Sequence, residues 1–126
     1  MPVINHKDAP EIPWRPNYQR WRLAGSEEGV SSMLALSEMG PGAAAPLHTH
    51  QADEIIVILE GSLEVQLGDE TQSVGADHTL VIPSRVPHGF SVAGEDKVRI
   101  LSFYPVPDPF SDTTYLKGVP PKAHLH

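Results

Sequence analysis

Short stretches of alternating or β-branched apolar residues, separated by turn residues, predict an all-β protein. Leu63, Val65 and Leu67 alternate with polar residues, as in a strand that buries one face. The stretch 54–59 is rich in β-branched residues, which strands favour. Further strands are predicted at residues 18–23, 79–82, 90–92 and 98–103. Because turn signals recur roughly every 8–12 residues, the pattern indicates a β-sandwich or barrel.

One segment, residues 31–39, fits two kinds of element. Its methionine, leucine and alanine residues have the propensity of a short helix. The segment is also apolar on both faces and ends at Gly40-Pro41-Gly42, which is typical of a buried strand. We predict a strand.

The length of the chain, 126 residues, suits a single domain with one hydrophobic core. The predicted strands place the barrel core at about residues 18–104. Residues 1–17 contain four prolines and are predicted to form an irregular N-terminal segment. Prolines alternate at positions 105, 107 and 109, so residues 105–126 are predicted to form an extended, Pro-rich C-terminal arm.

Composition and charge narrow the classes of function. Acidic residues outnumber basic residues 16 to 9, and no basic run is present, so no nucleic-acid partner is expected. No stretch approaches the roughly 18 apolar residues of a membrane span, and the N-terminus lacks the apolar core of a secretory signal. We therefore expect a cytoplasmic protein without a membrane partner. The absence of cysteine excludes disulfides, thiol catalysis and Cys-ligated zinc.

The chemistry of the chain concentrates around four side chains. His48 and His50 are two positions apart on a predicted strand, so their imidazoles point to the same face. Glu54 opens the next strand, and His88 follows a later strand within a proline-stiffened segment. Three imidazoles and a carboxylate suit one divalent transition ion, namely Fe, Mn, Ni, Co, Cu or Zn. The sequence therefore predicts a metal site.

Residues 42–61 match the pattern G-x5-H-x-H-x3-E-x6-G at every defined position. This pattern resembles the first motif of the cupin family. The second cupin motif, G-x5–7-P-x-G-x2-H-x3-N, is matched at Gly75, Pro83 and His88. Arg85 stands where that motif has glycine, and Val92 stands where it has asparagine. The resemblance covers about residues 30–104.

The resemblance implies an antiparallel double-stranded β-helix, or jelly-roll barrel, that is often a homodimer. In metal-binding cupins the positions that match His48, His50, Glu54 and His88 hold one divalent ion inside the barrel. Our leading hypothesis is a metal-dependent enzyme of dioxygenase-like oxidoreductase type. Its small-molecule substrate, an enolisable, phenolic or carboxylate compound, would bind the ion through oxygen while Glu54 also shuttles a proton.

Two alternative functions stay open from the sequence. The first is a non-oxidative isomerase or lyase that acts on a sugar acid or another hydroxy-carboxylate. The second is a module that binds a small molecule without catalysis. The motif alone does not distinguish these functions, because one fold hosts many of them.

Four further residues are candidates for substrate contact. Arg85 and Arg99 offer guanidinium groups for a carboxylate, although Arg99 alternates with apolar neighbours and also suits an outer sheet face. Ile56 shares the parity of Glu54, which predicts that it lines the barrel near the ion. Phe90 is an aromatic candidate for the pocket wall. His6, His78, His124 and His126 are predicted to be solvated loop or terminal residues.

Overall fold

The protein is described here by a computed structural model of residues 2–121, and it consists of antiparallel β-strands with short connections. Two single turns of 3-10 helix lie at His6–Asp8 and Ser26–Glu28. In chain order the strands are β1 Glu11–Arg15, β2 Tyr18–Ala24, β3 Met33–Met39, β4 Ala44–Thr49, β5 Glu54–Glu60, β6 Ser62–Leu67, β7 Glu70–Gly75, β8 His78–Ile82, β9 His88–Val92, β10 Val98–Tyr104 and β11 Thr114–Tyr115.

The strands form two sheets that enclose one apolar core. The six-stranded sheet has the order β1-β2-β3-β10-β5-β8, and the five-stranded sheet has the order β11-β4-β9-β6-β7. Inward-pointing residues of both sheets fill the space between them, because side chains alternate between the faces of a strand. The fully buried members include Ile56, Ile58, Leu63, Val65, Ile82, Val98 and Ile100. This architecture confirms the prediction of an all-β, antiparallel jelly-roll barrel.

The ambiguous segment 31–39 forms the strand β3, as predicted. It lies between β2 and β10, and both neighbours pair with it in antiparallel register. A strand in this central position satisfies its backbone on both edges, which outweighs the helix propensity of its residues. Pairing with two neighbouring strands, rather than local propensity, therefore makes this segment a strand.

Both ends of the chain add strands outside the predicted core range of 18–104. The N-terminal segment contains β1, which pairs with β2 at the edge of the six-stranded sheet. Its Pro13 is compatible with this edge position, where a missing N–H does no harm. Within the described part of the C-terminal arm, residues 105–121, Thr114 and Tyr115 pair with Thr49 and His48 of β4. The prediction that residues 1–17 are irregular was therefore wrong for β1.

A glycine sets the distance between the two strands that carry histidines. A Cβ built on Gly89 of β9 would lie 2.9 Å from the carbonyl oxygen of Ala45 and 3.1 Å from the amide nitrogen of Leu47. Both atoms belong to the backbone of β4 and have little room to move. Only glycine therefore permits β9 to approach β4 this closely, and the approach places His48 opposite His88.

The described part of the chain contains no helix with the length and apolar character required to cross a bilayer.

Candidate metal centre

The four predicted ligands meet at one end of the barrel. His48 on β4 lies directly opposite His88, the first residue of β9. His50 follows the end of β4, and Glu54 is the first residue of β5. His50, Glu54 and His88 are buried, and His48 is half-buried. The fold thus collects at one point four side chains that the sequence spreads over 41 positions.

Backbone carbonyls fix the protonation pattern of all three imidazoles. Each Nδ1 lies within hydrogen-bond distance of a carbonyl oxygen two residues away. The acceptors are Pro46 at 2.7 Å for His48, Ala52 at 2.8 Å for His50 and Val86 at 2.9 Å for His88. A carbonyl only accepts, so each Nδ1 must carry the proton. In a neutral ring this leaves the Nε2 lone pair as the ligand.

The three histidines are arranged as a divalent transition ion requires. Their candidate ligand atoms all lie within 4.8 Å of one another. The buried Nε2 of His88 makes no hydrogen bond to any residue in the range 2–121 and lies 3.4 Å from Glu54 Oε1. A buried acceptor without a donor is costly unless a cation or a water satisfies it. Imidazole nitrogens with one carboxylate suit a borderline transition ion better than Mg²⁺ or Ca²⁺.

Glu54 connects the histidines to a second layer of buried polar groups. Its Oε1 lies 3.1 Å from Nε2 of His50, and its Oε2 accepts a hydrogen bond of 2.9 Å from the Tyr104 hydroxyl. Arg20 in turn donates from Nη2 to that hydroxyl oxygen at 2.6 Å. A guanidinium only donates, so the phenol must give its proton to Glu54. The relay therefore runs in one direction, from Arg20 through Tyr104 to the carboxylate.

The electrostatic environment favours the ligating states of Glu54 and His48 but opposes that of His50. Burial raises the pKa of Glu54, but the hydrogen bond from His50, the close approach of His88 and the charge of Arg20 outweigh it, so the pKa is lowered. Burial, reinforced by His88, lowers the pKa of His48 to about 4. For His50, burial opposes protonation, but the hydrogen bond and charge of Glu54 prevail and raise the pKa. A metal ion at the site would therefore displace a proton from His50.

A small cavity with aromatic walls opens onto the histidine cluster. Its free space is about 30 Å³, which holds one or two water molecules. The cavity is lined by Trp14, Arg15, Tyr18, Arg20, Ala45, His48, His50, Glu54, Phe90, Tyr104, Phe110, Thr113 and Tyr115. Tyr115 stacks on the His48 ring with a centroid distance of 5.4 Å, and Phe110 packs on Trp14 at 5.3 Å. Both ends of the chain therefore cover the site.

Two of the four residues predicted to contact the substrate are apolar, and only one of these two lies at the cavity. Phe90 lies on the wall of the cavity, next to Tyr18 at a centroid distance of 6.4 Å. Ile56 faces inward as its parity predicts, but it is fully buried in the core and does not line the cavity. Parity gives the face of the strand, whereas the position along the barrel axis decides access to the site. Ile56 is therefore corrected to a core residue.

Neither predicted arginine reaches the cavity. Arg85 is exposed on the turn before β9, where φ is 67°, and its amide donates to the carbonyl of His50. Arg99 lies on the outer face of β10 and forms ion pairs of 3.4 Å with both Glu38 and Glu60. In their place, Arg15 and Arg20 lie at the cavity wall.

Sequence reasoning overlooked Arg20 and the aromatic residues of the C-terminal arm. The spacing Tyr18-Gln19-Arg20 puts the arginine on the same strand face as a tyrosine, which was the available signal for a buried cation. No comparable signal marks Phe110 or Tyr115. Among the other histidines, His6 and His78 are exposed, and His124 and His126 lie outside the described residues.

Comparison with known proteins identifies the family and the fold of the chain. The family model described as "Cupin domain" matches residues 35–104. Among curated proteins, "Polyketide synthase CurC" from Streptomyces cyaneus is 35% identical over 73 residues, which are 57% of this chain and 47% of that protein. The chain spans about half the length of the curated relatives it matches.

Solved structures share the fold at low sequence identity. The polyketide cyclase RemF from Streptomyces resistomycificus superposes with a TM-score of 0.80 at 22% identity, over 98% of this chain and 90% of that chain. KdgF from Halomonas sp. gives a TM-score of 0.69 at 24% identity, over 80% of this chain and 92% of that chain. With a family model that matches more than half of its length, the chain belongs to the cupin domain family.

Proposed function

We propose that this cupin is a metal-dependent enzyme that binds a small enolisable or phenolic substrate through oxygen. The observation that carries the proposal is the convergence of three imidazoles and one carboxylate, of which His48, His50 and Glu54 line an aromatic-walled cavity. The proposed ligands of one divalent transition ion are His48, His50, His88 and Glu54. We propose Glu54 also as the group that handles the substrate proton.

The walls of the cavity favour a flat, unsaturated substrate. Trp14, Phe90, Phe110 and Tyr115 present ring faces and edges that suit aromatic or enolic carbon skeletons. The names of two similar proteins point to the same class, since one is a polyketide synthase and the other a polyketide cyclase. A polyketide chain carries alternating carbonyls that enolise readily. We therefore propose a polyketide-like compound as substrate and ring closure as the reaction. Because the free space of the cavity is about 30 Å³, only the oxygen-bearing end of such a compound would enter it.

Ring closure of this kind needs no oxidant. The enol carbon of the substrate attacks a carbonyl carbon of the same molecule, a carbon–carbon bond forms, and the proton of the enol ends on the new alkoxide oxygen. Loss of water then gives the aromatic ring. A divalent ion at the site would supply Lewis acidity that lowers the pKa of an enol or phenol oxygen. Glu54 is ionised, because its pKa is lowered, and its oxygen beside the imidazoles is the proposed acceptor of the substrate proton.

The surrounding residues hold this machinery in place. Tyr104 and Arg20 fix one oxygen of Glu54, which leaves the other oxygen facing His50 and His88. The aromatic rings orient the substrate and exclude water, which strengthens electrostatic interactions inside the cavity. The C-terminal arm completes this enclosure through Phe110 and Tyr115.

The dioxygenase-like reaction expected from the sequence stays the second candidate. A redox-active ion held by the three histidines and Glu54 would supply the chemistry that a reaction with O2 requires. This reaction consumes oxygen, whereas ring closure, isomerisation and lyase chemistry do not. Oxygen uptake therefore separates the two candidates.

The test uses purified protein that is stripped of metal, reloaded with Fe(II), Mn(II), Co(II), Ni(II), Cu(II) or Zn(II), and analysed for metal content. An aryl 1,3,5-triketone is then supplied, and products are followed by mass spectrometry alongside an oxygen electrode. The proposal predicts a metal-dependent product that has lost water, with no oxygen uptake. Oxygen uptake with an oxidised product would support the dioxygenase instead. Metal binding without turnover of triketones, flavonols, catechols or sugar acids would favour a binding module.

A matched pair of histidine variants makes the result specific. His50→Ala removes a proposed ligand and is expected to lose both metal and turnover. His78→Ala removes an exposed histidine whose Nδ1 contacts only the carbonyls of Gly75 and Ala76, and it is expected to keep both. Equal behaviour of the two variants would contradict the proposed site.

A further inference from the structure

Arg20 is a buried cation without a carboxylate partner. Its exposed fraction is 3%, and it forms part of the cavity wall. Its hydrogen bond goes to the neutral phenol of Tyr104, and its Nε has no hydrogen-bond partner among residues 2–121. None of the ion pairs in this part of the chain includes Arg20. Arginine stays charged at any physiological pH, so the charge is buried with it.

Aromatic rings surround the guanidinium but do not neutralise it. Its central carbon lies 4.7 Å from the centroid of Trp14, 5.4 Å from that of Phe110 and 5.6 Å from that of Tyr104. Such cation–π contacts offset part of the cost of burial, while a buried cation is satisfied fully only by an anion with matching hydrogen-bond acceptors. The phenol separates Arg20 from Glu54, whose carboxylate already faces two imidazoles.

The charges of the cavity favour an incoming anion once an ion is bound. A divalent ion with neutral imidazoles and the Glu54 carboxylate would leave one net positive charge, and Arg15 and Arg20 on the cavity wall add two more, of which Arg20 is the buried one. Among residues 2–121, Glu54 is the only carboxylate that lines the cavity. The excess of positive charge is therefore left for the ligand to balance, and the planar guanidinium favours a bidentate carboxylate.

We propose that Arg20 is the anion-binding residue of the cavity and holds a carboxylate of the substrate. The enol or phenol oxygen of the same molecule then faces the three histidines. The preferred substrate is thus an aromatic or enolic carboxylic acid, in which the two oxygen-bearing groups are neighbours. This inference rests on the proposed metal-dependent function, because it assigns the two ends of the substrate to the histidines and to Arg20.

The test compares salicylate with salicylamide, which keeps the phenol but replaces the carboxylate with a neutral amide. Binding to the Co(II)-saturated protein is measured by calorimetry for the wild type and for Arg20→Met. We expect Arg20→Met to weaken salicylate binding at least tenfold and to change salicylamide binding less than twofold. Arg22→Met is the matched control, because Arg22 lies on the same strand but pairs with Glu27 and Glu28 outside the cavity.

Two further variants distinguish anion binding from a role in positioning Glu54. Tyr104→Phe breaks the relay but keeps the cation, so at metal saturation it is expected to keep the ratio of salicylate to salicylamide affinity. Arg20→Gln keeps a donor for the phenol without the charge, so it is expected to lose that ratio and serves if Arg20→Met does not fold. The proposal is overturned if both ligands weaken equally in the Arg20 variants, or if Tyr104→Phe loses the ratio as they do.

Failure of the proposed metal-dependent function is distinguished from failure of the Arg20 assignment by the measurement of bound metal. If the wild type binds no Co(II), the metal-dependent function fails, and metal analysis shows this before any ligand is added. If the wild type binds Co(II) and salicylate but the Arg20 variants bind salicylate equally well, only the assignment of Arg20 is wrong.

Discussion

At the scale of single residues, the candidate site depends on which atom each side chain is able to offer. Each Nδ1 is committed to a backbone carbonyl, so the Nε2 atoms of His48, His50 and His88 are what remains for an ion. The two oxygens of the Glu54 carboxylate also have different partners. Tyr104 donates a hydrogen bond to one oxygen, and the imidazoles of His50 and His88 face the other. Geometry and tautomer together define the donor set.

Loss of the Tyr104 hydroxyl is predicted to weaken metal binding. In Tyr104→Phe, one oxygen of Glu54 loses its donor, and Arg20 loses the acceptor for its Nη2. Removal of an outer partner of a metal ligand typically lowers affinity about 10–100-fold. Competition with a chromogenic chelator measures the change for Zn(II) or Co(II). An affinity within twofold of the wild type would show that the phenol does not position Glu54.

The spacing of residues in the sequence predicted the four polar residues of the cluster, but it did not predict the side chains that contact them. His48, His50 and Glu54 lie within seven positions of one another, where strand alternation predicts a shared face. Arg20 and Tyr104 are 84 positions apart, and nothing in either local segment indicates that they form a hydrogen bond. Contacts of this kind depend on the pairing of strands, which a single sequence does not specify.

At the scale of elements, the site depends on how closely β4 and β9 approach each other. The register places His48 opposite His88, and a shift by one residue would turn one imidazole to the other face of the sheet. Gly89, directly after His88, permits the approach. The two strands outside the predicted core range are β1, which contains a proline, and β11, which is two residues long. Neither presents an alternating pattern long enough to detect.

Gly89→Ala is predicted to destabilise the protein, because the new methyl group would overlap backbone atoms of β4. We expect the free energy of unfolding to fall by about 1–3 kcal/mol, the usual cost of overpacking. Gly75→Ala is the matched control, since its Cβ would meet Ser62 Oγ at an ordinary 3.5 Å. We expect that control to change stability by less than about 0.5 kcal/mol. Urea denaturation measures both variants, and equal midpoints would refute the packing argument.

At the scale of the whole molecule, the six-stranded sheet exposes a row of apolar side chains on its outer face. The outer face of the six-stranded sheet carries Val81, Ile55 and Phe103 side by side on β8, β5 and β10, with exposed fractions of 63%, 39% and 38%. A row of exposed apolar residues is typical of an interaction surface. The homodimer implied by the cupin resemblance stays a prediction, and this face is where we expect the second copy.

Val81→Glu is predicted to convert a dimer into a monomer, because a charge on this face would have to be buried without a partner. Light scattering coupled to gel filtration reports the mass directly. Val3→Glu is the control, since Val3 is also exposed but lies near β2, at the other side of the sheet from β8 and β5. A monomeric wild type, or a Val81→Glu variant that stays dimeric, would contradict the prediction.

The central claim is that one ion binds between His48, His50, His88 and Glu54. An anomalous difference map from crystals soaked in Zn(II) or Co(II) tests it most directly. We predict one strong peak, about 2.0–2.2 Å from the three Nε2 atoms and from a Glu54 oxygen. Crystals that show no peak there, or a peak on other residues while these imidazoles contact only the protein, would contradict the account.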